Sequence, residues 1–338
     1  MKLALGALLA LALMAGQVEG RGSGQWLIPD AAWDCGMAGG IPSPERGRFA
    51  FEIHIPLERA ADIGRTPYGQ RRVAVGKEGS VRGGTLKATV MPGTLDYELV
   101  LANGVIEIEQ LLVLRATDGS YLFLHTAGVG ADAKDTRVVV DIEAPTAGPY
   151  AALNSGHYVA RRTLNAAALT LSLRIYDVTA VAVDAAHAIR IVKPAGVPAQ
   201  PWDYRRKGAD EQQGEMLIRE NVTLGPGESL GASKHGIRNI IPITGGVVSG
   251  RINGKVLMGG ADYQHLSPPV VIDAHYLWQA ADGEIIIVRN TGPFGALVPT
   301  FETRVDGPYA YLNQGLYLSS NPGPGQGGVG ITMYESRK

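Results

Sequence analysis

The sequence has little charge, few aromatic residues and a single cysteine. Charged residues make up 19% of the 338 residues, aromatic residues make up 7%, and the net charge is -1. A near-neutral chain lacks the positive field with which proteins attract nucleic acid, so no nucleic-acid partner is expected. Cys35 can form neither an internal disulfide nor a thiolate metal site, so the stability of the fold must come from core burial.

Long apolar runs are also scarce, and the one that stands out lies at the N-terminus. Lys2 precedes an apolar run from Leu3 to Ala15, which is shorter than the ~20 residues that span a bilayer. Residues 1–20 are therefore predicted to be a signal peptide. The mature protein is expected to be exported, to the periplasm or the cell exterior, and to have no membrane span.

Glycine, in contrast, is abundant, with 45 residues, and short apolar segments alternate with turn-forming residues. The segments are rich in β-branched and aromatic side chains, as is typical of β-strands. Examples are residues 51–55, 121–125, 169–176 and 284–289. Asp118-Gly119 and Asp282-Gly283 lie between such segments, as in hairpin turns. The pattern predicts an all-β protein with little helix.

The sequence also repeats itself. Residues 148–158 (GPYAALNSGHY) match residues 307–317 (GPYAYLNQGLY) at eight of eleven positions, and other landmarks recur in the same order. We therefore predict a tandem arrangement: an N-terminal extension at 21–48, a first β-barrel at 49–178, a linker at 179–214 and a second β-barrel at 215–338. Closed antiparallel barrels are favoured because closure removes exposed sheet edges, and a pair of β-sandwiches is the alternative.

The second unit carries a family resemblance. Residues 238–263, followed by residues 273–276 (DAHY), 289–290 (RN) and 301–303 (FET), resemble the core of the domain-of-unknown-function family 3237. The first unit resembles it more weakly and has residues 109–112 (EQLL) in place of DAHY. The resemblance implies antiparallel barrels similar to lipocalin or allene-oxide-cyclase barrels, and it implies little about activity. Members are ordinarily single barrels, so the tandem form is a departure.

Three polar residues of the second unit are candidates for catalysis. Strand alternation puts Asp273 and His275 on one face. If this face lines a barrel, the pair can act as a base and its orienting carboxylate; if it faces outwards, the pair is solvated. Arg289 is suited either to holding an oxyanion or to a strand-end ion pair. The first unit has other residues in these places, which indicates one working barrel and one supporting barrel.

Further polar side chains are candidates for ligand binding, namely Asn290, Glu302, Tyr311, Asn313 and Tyr263. Tyr311 and Asn313 are placed on one face of a strand, where a hydroxyl and an amide suit a small polar ligand. An asparagine that recurs in both units also fits a structural motif of the fold. No histidine or carboxylate spacing matches a metal site, so neither a metal nor a cofactor is expected.

These candidates favour an exported protein that binds a small organic molecule inside a barrel. Its chemistry is expected to be acid–base catalysis without a cofactor, as in an isomerase, a cyclase or a lyase. Two alternatives stay open: a barrel that carries a small ligand without catalysis, and a structural tandem module. The expected partner is the small molecule, and association of copies through barrel surfaces is left open.

Overall fold

The computed structural model describes residues 40–84, 86–130, 135–184, 188 and 205–338. The predicted signal peptide, Cys35 and much of the predicted linker lie outside these residues. The described chain is built of strands, together with short 3-10 turns at Pro44–Arg46, Ala151–Ser155 and Ala310–Asn313. No described helix is long and apolar enough to cross a membrane.

The strands fall into two groups that follow each other along the chain. The first unit contains β1 (Arg48–Arg65), β2 (Gln70–Gly76), β3 (Gly79–Arg82), β4 (Ala88–Val90), β5 (Leu95–Val100), β6 (Ile106–Ala116), β7 (Tyr121–Gly130), β8 (Thr136–Glu143), β9 (Tyr158–Asn165) and β10 (Thr170–Asp177). The second unit contains β11 (Gln212–Leu224), β12 (Glu228–Ser233), β13 (Gly236–Gly250), β14 (Gly254–Val256), β15 (Ala261–His265), β16 (Val271–Ala280), β17 (Ile285–Pro293), β18 (Val298–Glu302), β19 (Tyr317–Ser319), β20 (Gly323–Gly325) and β21 (Gly328–Arg337).

Strand pairing in the first unit closes on itself. β1 pairs with β10, and the antiparallel pairs then run through β9, β8, β7, β6, β5 and β2 back to β1. β3 and β4 form a second bridge between β1 and β6. Closure of this kind leaves no free sheet edge in the ring, so we refer to the unit as barrel one.

The second unit, barrel two, repeats this arrangement with one looser seam. β21 pairs with β19 and β11, β11 pairs with β13, and β13 leads through β14 and β15 to β16, β17 and β18. Between β18 and β19 the backbone N–H of Ser319 donates to the carbonyl of Leu297 at 3.1 Å, with no strand ladder. The predicted all-β fold of two tandem antiparallel barrels is confirmed.

Strand register relates the two barrels residue by residue. On β5 and β6, Asp96 pairs with Gln110; on β15 and β16, Asp262 pairs with Ala274. We call residues with the same place in both registers equivalent, so Asp96 is equivalent to Asp262 and Gln110 to Ala274. The same register continues across the neighbouring strands and allows the two interiors to be compared directly.

Each barrel has its own apolar interior, and the two barrels share a third apolar core between them. On β6, Leu112 and Leu114 point into barrel one, whereas Leu111 and Val113 point out of it. The outward pair packs with outward side chains of barrel two, such as Ile240. The barrels therefore bury part of their outer surfaces against each other, because both faces of these strands are apolar.

Contacts between the barrels come in matched pairs. The backbone N–H of Thr146 in barrel one donates to the carbonyl of Ala232 in barrel two at 2.8 Å. At the equivalent positions, the N–H of Val305 in barrel two donates to the carbonyl of Arg65 in barrel one, also at 2.8 Å. Such reciprocity is the property of an isologous dimer interface, here formed within one chain. We call this surface the inter-barrel face.

Candidate functional site

The three residues predicted to be catalytic lie on the inter-barrel face and not inside a barrel. Ala274 and Tyr276 belong to the interior core of barrel two, so their strand neighbours Asp273 and His275 point outwards. Arg289 pairs with His275 across β16 and β17. Of the two alternatives for this face, the one in which it lines a barrel interior is therefore excluded. The face is not solvated either, because barrel one covers it and leaves His275 0% and Arg289 1% exposed.

These side chains form a charged cluster with two residues of barrel one. Nε2 of His275 lies 2.9 Å from Oδ1 of Asp273, and Nη2 of Arg289 donates to Oε2 of Glu109 at 2.6 Å. Nε2 of His125 lies 3.2 Å from Oε1 of Glu109. Burial opposes the charge of Glu109, but Arg289 and His125 outweigh it and lower the pKa of this carboxyl. Burial likewise opposes the charge of Asp273, but the nearby His275 lowers the pKa of this carboxyl.

Two further ion pairs cross the inter-barrel face at equivalent positions. Nε of Arg71 in barrel one donates to Glu302 in barrel two at 2.8 Å, and both side chains are at most 1% exposed. In the opposite direction, Nη2 of Arg238 in barrel two donates to Glu143 in barrel one at 2.5 Å. Breaking a buried ion pair of this kind costs folding free energy, because removal of one partner leaves the other charge buried without a counter-ion. Glu302, predicted to bind ligand, is engaged in joining the barrels.

Tyr263, also predicted to bind ligand, lies on the same face. Its ring stacks on Phe123 of barrel one with 4.9 Å between the centroids, and the guanidinium of Arg238 lies 5.2 Å from the Phe123 centroid. Aromatic pairs contribute about 0.5–1.5 kcal/mol beyond their buried area. Five of the eight predicted site residues, Asp273, His275, Arg289, Glu302 and Tyr263, therefore lie on the inter-barrel face, and their roles toward a ligand stay predictions.

The strand predicted around Tyr311 and Asn313 is wrong, because Ala310–Asn313 forms a 3-10 turn. The Asn313 amide bonds the backbone N–H and carbonyl of Thr303, both at 2.9 Å. Asn154 makes the same two bonds to Ala144 at 3.0 Å in barrel one. The recurring asparagine thus ties a turn to the end of a strand, while Tyr311 is 38% exposed.

The interiors of the two barrels differ sharply at four equivalent positions in their middle layer. Barrel one has only aliphatic side chains there: Ile53, Leu112, Leu114 and Ile142. Barrel two has a carboxyl group and three aromatic rings: Glu220, Tyr276, Trp278 and Phe301. A buried carboxyl costs free energy unless it is hydrogen-bonded. Barrel two thus contains a polar group that needs hydrogen-bond partners where barrel one contains none, and this difference marks barrel two as the candidate site.

Glu220 is fully engaged within this interior. Its Oε1 accepts a hydrogen bond from the Tyr276 hydroxyl at 2.6 Å, and its Oε2 accepts one from Nε1 of Trp278 at 2.8 Å. Burial raises the pKa of Glu220 to about 7, although both hydrogen bonds act to lower it. A carboxyl group with this pKa exchanges its proton near neutral pH, as general acids and bases do.

Asp262 supplies a second carboxyl group inside barrel two. It accepts a bond from the backbone N–H of Asp273 at 3.1 Å and one from Nε2 of Gln264 at 2.8 Å. Burial raises its pKa to about 6. Burial also raises the pKa of the Tyr276 hydroxyl, and the charges of Glu220 and Asp262 raise it further. Tyr276 is therefore within electrostatic reach of both carboxyl groups.

Asn290 is the predicted site residue that does lie inside barrel two. It pairs with Ala274 on the interior face and is 1% exposed. Its Oδ1 accepts a hydrogen bond from the Ser319 hydroxyl at 3.1 Å. Glu220, Tyr276 and Trp278 were absent from the sequence-based candidates, although the repeat contains a signal: alignment of 216–224 with 49–57 puts Glu220 at an apolar interior position.

One group of potential metal ligands crosses the inter-barrel face. Carboxylate and ring atoms of Asp141, Glu143 and His235 lie within 4.8 Å of one another. Lys234 and His235 bond Asp141, however, and Arg238 bonds Glu143. Against the effect of burial, His235 and Lys234 lower the pKa of Asp141 to about 2. Because cations already neutralise both carboxylates, the group fits an ion-pair network better than a metal site.

The chain is thus a tandem β-barrel protein in which one barrel has an aliphatic interior and the other a polar aromatic one. Its sequence matches the family model described as "Protein of unknown function (DUF3237)" over residues 46–180 and 213–296. These segments make up more than half of the chain, so the chain belongs to this family. The resemblance seen in the sequence is confirmed.

Curated relatives match shorter stretches. A UPF0311 protein of Bradyrhizobium diazoefficiens is 45% identical over 71 residues, which are 20% of this chain and 47% of that protein. The hydroalkoxylation enzyme phnH of Penicillium herquei is 31% identical over 101 residues, which are 29% of this chain and 67% of that protein. The chain spans about half the length of the UPF0311 relatives it matches.

Solved structures also align with part of the chain. A β-barrel-like protein from Acinetobacter baumannii is 28% identical, with a TM-score of 0.33, over 39% of this chain and 99% of the other. A conserved protein of unknown function from Rhodopseudomonas palustris is 20% identical, with a TM-score of 0.34, over 38% of this chain and 95% of the other.

Proposed function

We propose that barrel two binds a small unsaturated alcohol or phenol and catalyses its ring closure, or the reverse reaction, by proton transfer without a cofactor. The observation that carries the proposal is Glu220, a buried carboxyl group with a pKa of about 7 that stands where barrel one has Ile53. The name of the Penicillium relative, a hydroalkoxylation enzyme, supports this reaction class.

The chemistry of hydroalkoxylation suits such an interior. A proton adds to one alkene carbon, the alcohol oxygen bonds to the other carbon, and the alcohol proton leaves to a base, so no oxidant or co-reactant is needed. In barrel two, protonated Glu220 donates to the Tyr276 oxygen, which reverses the bond made with the carboxylate, and the Tyr276 hydroxyl supplies the proton to carbon. The faces of Trp278 and Phe301, whose centroids are 5.2 Å apart, stabilise the positive charge that develops on the other carbon.

The test uses 2-(3-methylbut-2-enyl)phenol, whose alkene gives a tertiary cation when it is protonated. In D2O the wild-type protein should convert it to a cyclic ether that carries one deuterium on carbon, detected by mass spectrometry and NMR. Glu220→Gln keeps the size of the side chain and removes the acid, so turnover should fall by about 10²- to 10⁴-fold.

Tyr97→Phe is the matched control for Tyr276→Phe, because both remove a buried tyrosine hydroxyl but Tyr97 lies on the inter-barrel face. The control should retain turnover, whereas Tyr276→Phe should lose most of it. A product without deuterium, or a Glu220→Gln variant within twofold of the wild type, contradicts the proposal. Binding of the phenol without any product identifies barrel two as a carrier instead.

We also infer that this function is carried out after export. The support is the sequence of the predicted signal peptide at 1–20, in which a basic residue precedes an apolar run. Fractionation of expressing bacterial cells, with N-terminal sequencing of the recovered protein, tests the inference. A cytoplasmic protein with an intact leader contradicts it.

A further inference from the structure

One end of barrel one, around Asp96, is closed by charged and amide side chains. Arg162 donates to Asp96 through Nε at 2.8 Å and through Nη2 at 2.5 Å, and to Glu98 through Nη1 at 2.7 Å. Gln110 also bonds Asp96, and Thr126 donates to Gln110 at 3.0 Å. The Arg162 side chain is only 6% exposed. These contacts seal the interior from solvent at this end.

Barrel two lacks the seal at the equivalent end. Ala274 replaces the glutamine, so β16 provides no amide for Asp262, and Gln264 on β15 itself donates to this carboxyl at 2.8 Å. Where barrel one has Arg162, the chain of barrel two turns away at Asn321, whose side chain accepts a bond from the Gly295 N–H at 2.6 Å. Within the described part of the chain, no arginine bonds Asp262.

Solvent consequently reaches the interior side chains at this end of barrel two. The partly exposed residues are Leu224, Ile241, Asp262 and Gln264. Their equivalents in barrel one are all buried: Leu57, Ala74, Asp96 and Glu98. We call this part of barrel two the open end.

Asn290 lies just inside the open end and has an unused donor. Its side-chain oxygen accepts the Ser319 bond, while its NH2 group donates no hydrogen bond to any described residue. Although Asn290 is only 1% exposed as a residue, its NH2 group is not fully buried and faces the solvent that enters at the open end. The amide therefore suits an acceptor atom that a ligand brings into the barrel. Barrel one has Thr126 at this position, with its hydroxyl already used.

We propose that the substrate enters barrel two through the open end, and that Asn290 and Asp262 hold its hydroxyl group there. This inference rests on the proposed function and identifies the part of the substrate that is recognised. Asn290 donates to the hydroxyl oxygen, and Asp262 accepts the hydroxyl proton. Asp262 pairs with Ala274, which lies two residues before Tyr276 on β16. Two residues of a strand span about 7 Å, so this is the separation between Asp262 and Tyr276 along the strand direction. A benzene ring with an ortho side chain spans this distance.

The protons balance in this arrangement. The O–H bond breaks as Asp262 takes the hydroxyl proton, and the oxygen forms its bond to carbon. The alkene carbon receives a proton from Tyr276, which takes one from Glu220. Transfer of the proton from Asp262 back to Glu220 through solvent at the open end restores the starting state.

The experiment compares the phenol probe with (3-methylbut-2-enyl)benzene, which lacks only the hydroxyl group. Binding is followed by fluorescence of Trp278 in a W26F/W33F/W202F background. The phenol should bind the wild type at least tenfold more tightly. Ala274→Gln, which rebuilds part of the barrel-one seal, should weaken phenol binding at least tenfold. Gln110→Ala in barrel one is the matched control and should leave phenol binding unchanged.

A second variant keeps the test independent of folding defects at Ala274. Asn290→Thr installs the barrel-one residue and should abolish the preference for the phenol. Equal affinities for the two probes, no binding of either probe, or unchanged binding in Ala274→Gln would overturn the inference. Glu220→Gln distinguishes this inference from the proposed function. The variant should still bind the phenol more tightly than the probe without a hydroxyl group, and it should lose turnover. Lost turnover without any preference refutes only the inference, and preference with intact turnover refutes only the proposed function.

Discussion

Replacement of Glu220 by glutamine is expected to change how the stability of the protein depends on pH. Burial raises the pKa of Glu220 from 4.5 to about 7, so between these pH values the folded protein keeps a proton that the unfolded chain releases. The free energy of unfolding therefore falls as the pH rises through this range and is level above it. At about 1.4 kcal/mol per pKa unit, the whole loss is about 3 kcal/mol.

Urea unfolding of the wild type and of Glu220→Gln at pH 5, 6, 7 and 8 measures this contribution. Glutamine can accept the Trp278 bond and donate to the Tyr276 oxygen, so its own effect should not vary with pH. The difference in unfolding free energy should shift by roughly 2–3 kcal/mol in favour of the variant between pH 5 and pH 8. Ile53→Val is the control at the equivalent position and should cost about 0.5–1.5 kcal/mol at every pH. A pH-independent difference for Glu220→Gln would refute the reasoning.

Three further predictions concern activity and stability. Turnover of the phenol should rise as the pH passes about 6, where Asp262 loses its proton, and fall above about 7, where Glu220 does; a rate constant that is flat from pH 5 to 8 would argue against both roles. Arg71→Met leaves the buried Glu302 carboxylate without its ion-pair partner. The variant should lower the unfolding free energy by about 3–5 kcal/mol in urea titrations at pH 7. A loss below about 1 kcal/mol would show that the ion pair is not needed for stability. Asn313→Ala removes two bonds to the backbone and should cost about 1–3 kcal/mol in the same assay, and an unchanged midpoint would disprove its structural role.

The barrels could be predicted because their signals are local or repeated. Short β-branched segments mark the strands, and the matching stretches 148–158 and 307–317 reveal two copies of one fold. Alternation gave the wrong structure at Tyr311 and Asn313, because polar residues two positions apart fit a strand as well as they fit the 3-10 turn that forms there. The backbone there follows the bonds between Asn313 and Thr303, which join residues ten positions apart.

The candidate site was harder to predict because β16 is buried on both faces. Alternation correctly puts Asp273 and His275 on one side and Tyr276 on the other, but it does not say which side is the interior. Which side is the interior depends on the packing of the two barrels, because barrel one covers the side of β16 that carries Asp273 and His275. Glu220 was not selected as a candidate because a single charged residue in a strand is common. It becomes unusual only when its equivalent, Ile53, is known to lie in the core of barrel one.

The inter-barrel face also bears on how such a protein can diversify. In a dimer of identical chains, every substitution appears on both sides of the axis, so neither half can change alone. Here each half is encoded separately, and Glu109 can face Arg289 while the mirrored place carries Asp273 and His125. One interior can thereby stay aliphatic while the other becomes polar and aromatic. The barrel with the polar aromatic interior keeps its covering neighbour through every such change, because both are parts of one chain.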